Sequence, residues 1–420
     1  MFNIFNRKKK FRQLPQTTIS QSTGTNNDGF GGSVALSSNG TTIAVGTPYD
    51  DVGANTNQGS VTIFTRSNNI LTEQQIITAG ESYGQFGYSV ALSSDGNTLA
   101  VGANQVSYYS GIGPTYLNVG AVYIWTRSSG TWSLQKTING ANFDYAGNDF
   151  FGHSVALSSD GDTVLIGAFY KTVSGRANQG AAYVFTRAGT TWTQQQKLTQ
   201  STGAANDYFG MSVALSSNGN TALIGAYQDD IGSNADQGSA TVFTRSSGVW
   251  TEQQTLTQSN GQAGDFFGCS VALSSDGNTA LVGASQDDIG VNSDQGSATV
   301  FTRSGTTWTQ QQTLTQSTGA AADSFGGWVS LSGDGNTALI GASAANVGGF
   351  GDVGLITVFT RSNNLWTEQK ILSQTSGTAS DYFGMSVALS SDGKVSIGGA
   401  QYGVVGSNPS QGNATIFYRR

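Results

Sequence analysis

With one histidine and one cysteine in 420 residues, this chain has few of the groups on which catalysis or metal binding is usually built. His153 alone leaves no histidine-rich zinc centre and no convincing imidazole-based triad. Cys269 alone excludes an internal disulfide framework, so cysteine usage does not reveal the redox compartment. Four prolines and no long apolar-periodic stretch leave little room for helices. No run approaches the roughly 18–20 apolar residues of a spanning helix. Charge is also scarce. A net charge of −7 over this length makes no electrostatic case for nucleic acid binding by the body of the chain. Only four glutamates occur, at Glu73, Glu81, Glu252 and Glu368, scattered where a glycosidase needs a close pair. The opening MFNIFNRKKKFR places its charges after a short apolar patch, with no apolar core following, so it does not read as a secretory signal.

What the chain does contain is repetition. Phe-Gly recurs at Phe30, Phe86, Phe151, Phe209, Phe267, Phe325 and Phe383, and the last four intervals are each 58 residues. A fixed period of this size signals a unit that buries its apolar face only against neighbouring copies. One copy reads as four strands. SVALSS (Ser270–Ser275) alternates up to an Asp276-Gly277 hairpin turn, and TALVGA (Thr279–Ala284) is apolar enough to be covered on both faces. Its Gly-Ala close suggests backbones in near contact. SATVFTR (Ser297–Arg303) is a third strand, and the segment from Trp308 to Thr315 a fourth. Seven copies of four antiparallel strands predict an all-β, seven-bladed β-propeller spanning residues 13–420, behind a basic tail at residues 1–12. The last copy stops after three strands. Thr18–Gly24 matches Thr313–Gly319, so the N-terminal strand is expected to complete the last blade and remove the open edges.

The Phe-Gly opening and Gly-Ala close resemble the FG-GAP repeats of integrin α-subunit propellers. The WTQQQ and FTR phrases are closer to the bacterial and viral FG-GAP-like proteins. The resemblance implies the fold over residues 13–420 and is weakly informative about activity. Integrin-type repeats often carry an Asp-rich calcium loop between the first two strands. Here only tight turns such as Ser275–Asn278 stand there, so those sites are not carried over.

Both connections on one face, between strands one and two and between three and four, are short, and both on the other are long. The long loops are the expected recognition surface. DDIGSNADQG (Asp229–Gly238) and DDIGVNSDQG (Asp287–Gly296) place Asp229, Asp230, Asp236, Asp287, Asp288 and Asp294 close together. Such oxygens suit either calcium or Asx turns bonded to their own backbone, and no essential cofactor is expected. The Asp two residues before six of the Phe-Gly pairs reads as a structural cap. His153 and Cys269 share a repeat position with Gly32, Tyr88, Met211, Gly327 and Met385, a pattern typical of a tolerant structural site. The recurring Arg and Trp read as blade packing.

Blade 2 alone has an enlarged loop, SYYSGIGPTYLN (Ser107–Asn118). Its Tyr108, Tyr109 and Tyr116 are candidate ligand contacts, with Phe143 and Tyr145 extending the patch. Arg7, Lys8, Lys9, Lys10 and Arg12 form a candidate tether for an acidic partner or an anionic membrane surface. These features point to a non-enzymatic structural or interaction module, a virion or surface-assembly component held by its tail. The alternative is an adhesin-type propeller binding a cell-surface glycan or protein through the long loops, with calcium assisting.

Overall fold

The computed structural model describes residues 14–68, 70–109, 115–140 and 147–419. Seven four-stranded antiparallel sheets form the blades of a closed ring. In the fifth, the strands are Phe267–Leu273, Thr279–Ala284, Ser297–Ser304 and Thr307–Leu314, close to the bounds read from sequence. The second strand of that blade is buried along its whole length, as its unbroken apolar run requires. Closure is by the N-terminus. Gln16–Ile19 pairs antiparallel with Asn413–Tyr418, in register from Gln16 opposite Phe417 to Ile19 opposite Ala414. The last sheet therefore joins the two ends of the chain and leaves no unpaired third strand.

Each blade's first strand lies against the first strands of both neighbours all round the ring, so these strands line the axis. At their ends, a cycle of backbone hydrogen bonds runs through the turn face. Ser38 N–H donates to Ser94 O, Ser94 to Ser159, Ser159 to Ser217 and Ser217 to Ser275. The cycle continues from Ser275 to Gly333 and Gly333 to Ser391, and Ser391 donates back to Ser38, all at 2.8–3.0 Å. Higher in the channel, six of the seven first strands carry a Ser whose hydroxyl donates to the Phe-Gly glycine carbonyl of the next blade, as Ser270 does to Gly326 O at 2.7 Å. Trp328 stands at that position in blade 6 and is 37% exposed, so this contact is missing between blades 6 and 7.

The Gly-Ala motif has the steric reason its sequence suggested. A Cβ on Gly283 would lie 1.9 Å from Gly326 O of the adjacent blade, a distance no side chain tolerates. The core lies between blades rather than within them. One apolar cluster, for example, joins Leu223, Val242 and Leu256 of blade 4 to Phe267, Val282 and Trp308 of blade 5. Phe267 is fully buried there, its N–H donating to Gln237 O of the preceding blade. Burying a side chain of that size stabilises by about 1.5–3 kcal/mol, which accounts for a Phe at this point in every copy.

The outer rim is held by side chains. Gln196 exchanges two hydrogen bonds with the Trp250 backbone of the next blade, and Arg245 stacks on the Trp250 ring with its guanidinium carbon 5.3 Å from the centroid. The recurring Arg and Trp are thus packed on each other. Three of the four scattered glutamates, Glu73, Glu252 and Glu368, also join blades. Glu252 accepts from both the N–H and the hydroxyl of Ser201, at 2.8 Å each.

Deleting residues 1–24 removes the strand that completes the last blade, and is expected to destabilise or aggregate the whole ring. Deleting residues 1–10 spares that strand. Melting curves of the two truncations test this, and equal melting temperatures would contradict closure by Gln16–Ile19.

Candidate functional site

The strand order puts the long connections on one face, opposite the tight turns. On that face the residue before Phe-Gly, the two residues after Gly-Ala and the residue after Phe-Gly all converge near the channel mouth. Many of these positions hold aromatics, and their rings form an arc. Tyr88 packs on His153 at 4.9 Å, and His153 on Phe169 at 4.2 Å. Phe169 meets Tyr170 at 4.5 Å, and Tyr170 meets Tyr208 at 5.1 Å. Tyr208 then meets Tyr227 at 5.5 Å, and Tyr227 meets Phe266 at 5.3 Å. Tyr49 and Tyr402 stand together at the seam of blades 7 and 1, and Tyr402 packs on Tyr382 at 5.6 Å. Blade 6 interrupts the arc with Ser324, Ser343 and Ala344.

Most of these rings are half-buried: one side packs on the blades while the other meets solvent. Their backbone is unusual. Phe150, Tyr208, Phe266 and Tyr382 adopt φ of 53°, 57°, 58° and 53°, in the left-handed region that bulky residues rarely enter. Burial pushes the Tyr88 and Tyr227 hydroxyls up to about 12, and holds the His153 imidazole down at about 4. The arc is therefore uncharged at neutral pH, and its tyrosines keep their O–H donors.

The acidic loops do other work. Asp229 is buried and accepts from Gln200 Nε2 at 2.8 Å and Ser239 Oγ at 2.6 Å; Asp287 repeats this with Gln258 and Ser297. Asp230 and Asp288 turn back on their own loops, accepting from the N–H of Asp236 and Asp294 at 2.9 Å. Both Asp236 and Asp294 have left-handed backbones. Among the described residues, no three His, Cys, Asp or Glu side chains are gathered in a way that suits a metal.

A model of the FG-GAP repeat matches residues 15–64, 132–185, 192–243, 250–301, 308–354 and 366–417. The chain belongs to the FG-GAP repeat family. No curated protein matches it. From 132 onward, each matched FG-GAP unit begins on the outermost strand of one blade and continues into the next.

The tyrosines singled out in the enlarged FG-GAP loop form a short hairpin on the long-loop face, with Tyr108 opposite Tyr116 and Tyr109 opposite Thr115. Phe143, Tyr145 and the basic residues Arg7, Lys8, Lys9, Lys10 and Arg12 lie outside the described residues. The arc itself was not read from sequence, although a signal was present. The doublets Phe150-Phe151, Tyr208-Phe209, Phe266-Phe267 and Tyr382-Phe383 put a second aromatic directly before the structural one.

The Asp before Phe-Gly is a cap. Asp265 accepts from Gln262 N–H at 2.6 Å and Asp323 from Ala320 N–H at 2.7 Å, while Asp149 pairs with buried Lys171 at 3.0 Å. Burial, helped by neighbouring Asp carboxylates, raises Asp207 and Asp265 to about 6 against the cap hydrogen bonds, and Asp28 and Asp323 also rise. Burial likewise raises the Asp-Gly turn carboxyls, but at Asp95, Asp276 and Asp334 hydrogen bonds from Ser and Asn outweigh it and the net shift is downward. The raised group favours the protonated fold, so its contribution is full below the unfolded value near 4 and is lost as pH rises through about 6. The lowered group's contribution is present above the unfolded value and lost as pH falls below it. The melting temperature should therefore be higher at pH 5 than at pH 8 and fall again in stronger acid. Asp207→Asn should flatten the slope on the alkaline side. A profile level from pH 5 to 8 would contradict this assignment.

Proposed function

We propose that this protein is a non-enzymatic recognition module of the adhesin type, which captures a cell-surface glycan or protein on its long-loop face. The observation that carries this reading is the strained aromatic arc. Backbone in the left-handed region costs on the order of 1–3 kcal/mol per residue, and Gly29 occupies that position in blade 1 without such strain. Four other blades place a large ring there, half-open to solvent, beside further rings. The same left-handed turn holds Gln85 in blade 2 and Ser324 in blade 6, so the turn itself does not call for a ring. A rigid, uncharged, tyrosine-rich surface is well suited to binding, because it offers contact area and hydroxyl donors at low entropic cost.

The assembly reading is the second one, and a specific feature supports it. The strand at Gln16 enters its blade from the turn face, opposite the arc. That same face carries a ring of Leu36, Leu92, Leu215, Leu273, Leu331 and Leu389 around a narrow opening of about 150 Å³. A partner held there would sit opposite the recognition surface.

Material that copurifies from the natural source separates the two. The combined variant Tyr170→Ser, Tyr208→Ser, Tyr227→Ser is expected to lose more than nine-tenths of the captured partner while remaining folded. Replacing Arg7, Lys8, Lys9 and Lys10 with Ser should leave capture intact. The opposite pattern would favour assembly through the tail.

Calcium is not required in this reading, since the buried loop carboxylates already accept hydrogen bonds. Excess chelator should shift the melting temperature by no more than a few degrees. A large loss of stability, or six or more oxygens around one ion at Asp229, Asp230 and Asp236, would reverse that.

A further inference from the structure

Between blades 7 and 1 the loop face opens into a notch of about 270 Å³, lined by Asn27, Gly29, Tyr49, Asn57, Tyr402 and Ser410. One departure from the repeat opens it, and it also lacks a side-chain clasp that two other seams carry. At the other seams the residue before Phe-Gly carries a side chain, as Phe150, Tyr208 and Tyr382 do; here it is Gly29. At the seam of blades 3 and 4, Asn178 Nδ2 donates to Asn206 Oδ1 at 2.9 Å, and Asn118 does the same to Asn148 at 3.0 Å between blades 2 and 3. Here Asn27 keeps its place, but Ser410 stands where Asn178 and Asn118 do, and the clasp is not made. The backbones are still joined, with Asn27 N–H on Pro409 O and Gly29 N–H on Ser410 O. Asn27 and Ser410 line the notch together with Tyr49 and Tyr402.

We infer that this notch is a binding subsite for a neutral pyranose ring, which deepens the reading of the long-loop face as a recognition surface and rests on it. The chemistry of the lining selects that class. None of the six lining residues is charged, so nothing there offsets the desolvation of an ionic ligand. Tyr49 and Tyr402 supply aromatic surface on which the C–H face of a sugar can pack, and Tyr402 is 42% exposed. Asn27 and Asn57 each supply a donor and an acceptor, and Ser410 supplies a hydroxyl, the mixed set that vicinal hydroxyls need. A pocket with apolar walls and a few convergent polar groups is the usual form of a small-ligand site, and this one has room for about a single ring.

The test is a titration of the full chain with methyl pyranosides of the gluco, galacto, manno and N-acetylglucosamine series, read by saturation-transfer NMR. At least one should bind with a dissociation constant on the order of 1 mM. Gly29→Tyr fills the notch with a side chain that Tyr208 and Tyr382 already carry at the same backbone position. The added Cβ would meet mainly movable atoms, Gln401 Nε2 at 2.9 Å and Tyr49 Cδ2 at 3.0 Å. Ser410→Asn restores the clasp. Each should weaken binding more than tenfold with the melting temperature within a few degrees of the parent. If no pyranoside binds, if both variants bind undiminished, or if only neutral peptides saturate the site, the inference is overturned. Loss of the pyranoside result alongside arc-dependent capture of the natural partner would remove the notch assignment only. Partner capture unaffected by the arc variant would remove the face-wide reading.

Discussion

The closed cycle of seven backbone hydrogen bonds from Ser38 through Ser391 and back is the constraint to which the other contacts conform. Each bond contributes only about 1 kcal/mol net. Their geometric effect is larger, because a cycle closes only if the turns between successive blades add up to one full revolution. That condition brings the first and second strands of adjacent blades so close that Gly283 cannot be any other residue. It also fixes the wedge of space between blades, wide at the rim and narrow at the axis. Trp250 and Arg245 fill the wide end, and Phe267 and small residues such as Ala280 fill the narrow one.

Departures from the repeat show how much variation that constraint permits. In blade 7 Gly398 replaces the Val or Ile found at its equivalent positions, and a Cβ there would lie 2.1 Å from Ile356 Cδ1 of blade 6. Ile356 in turn stands where Ala298 and Ala240 stand in other blades. The volume has moved across the seam and its total is nearly conserved, as close packing demands. At that same seam Trp328 displaces the serine clasp. Blades 6 and 7 thus lack the serine bond that the other six seams carry and set Ile356 against Gly398 instead, and blade 6 is also where the aromatic arc is broken.

The fold was legible because its determinants are local and recur. Asp276-Gly277 marks a turn by itself, Thr279–Ala284 marks a covered strand, and the match of Thr18–Gly24 to Thr313–Gly319 reveals the closing strand without coordinates. The loop face was legible only as a face. Its rings belong to positions far apart in sequence, so the Tyr170–Tyr208 and Tyr227–Phe266 contacts exist only once the blades are set side by side. The notch was harder still. Gly29 and Ser410 are unremarkable residues in polar loops, separated by nearly the whole chain, and they become neighbours only because the ring closes between them.

The offset between the FG-GAP unit and the blade bears on how such a ring is able to change. A unit that begins on the outermost strand of one blade and runs into the next carries the last strand of one sheet and the first strands of the next rather than one finished sheet. Duplicating or excising a whole unit therefore always regenerates complete sheets at the join, since the donated outer strand finds the same partner as before. The single overlap of Gln16–Ile19 on Asn413–Tyr418 is unaffected by how many units lie between them. Copy number is then limited by the curvature the axis tolerates, and a lineage that gains or loses a blade need never pass through an open-edged intermediate.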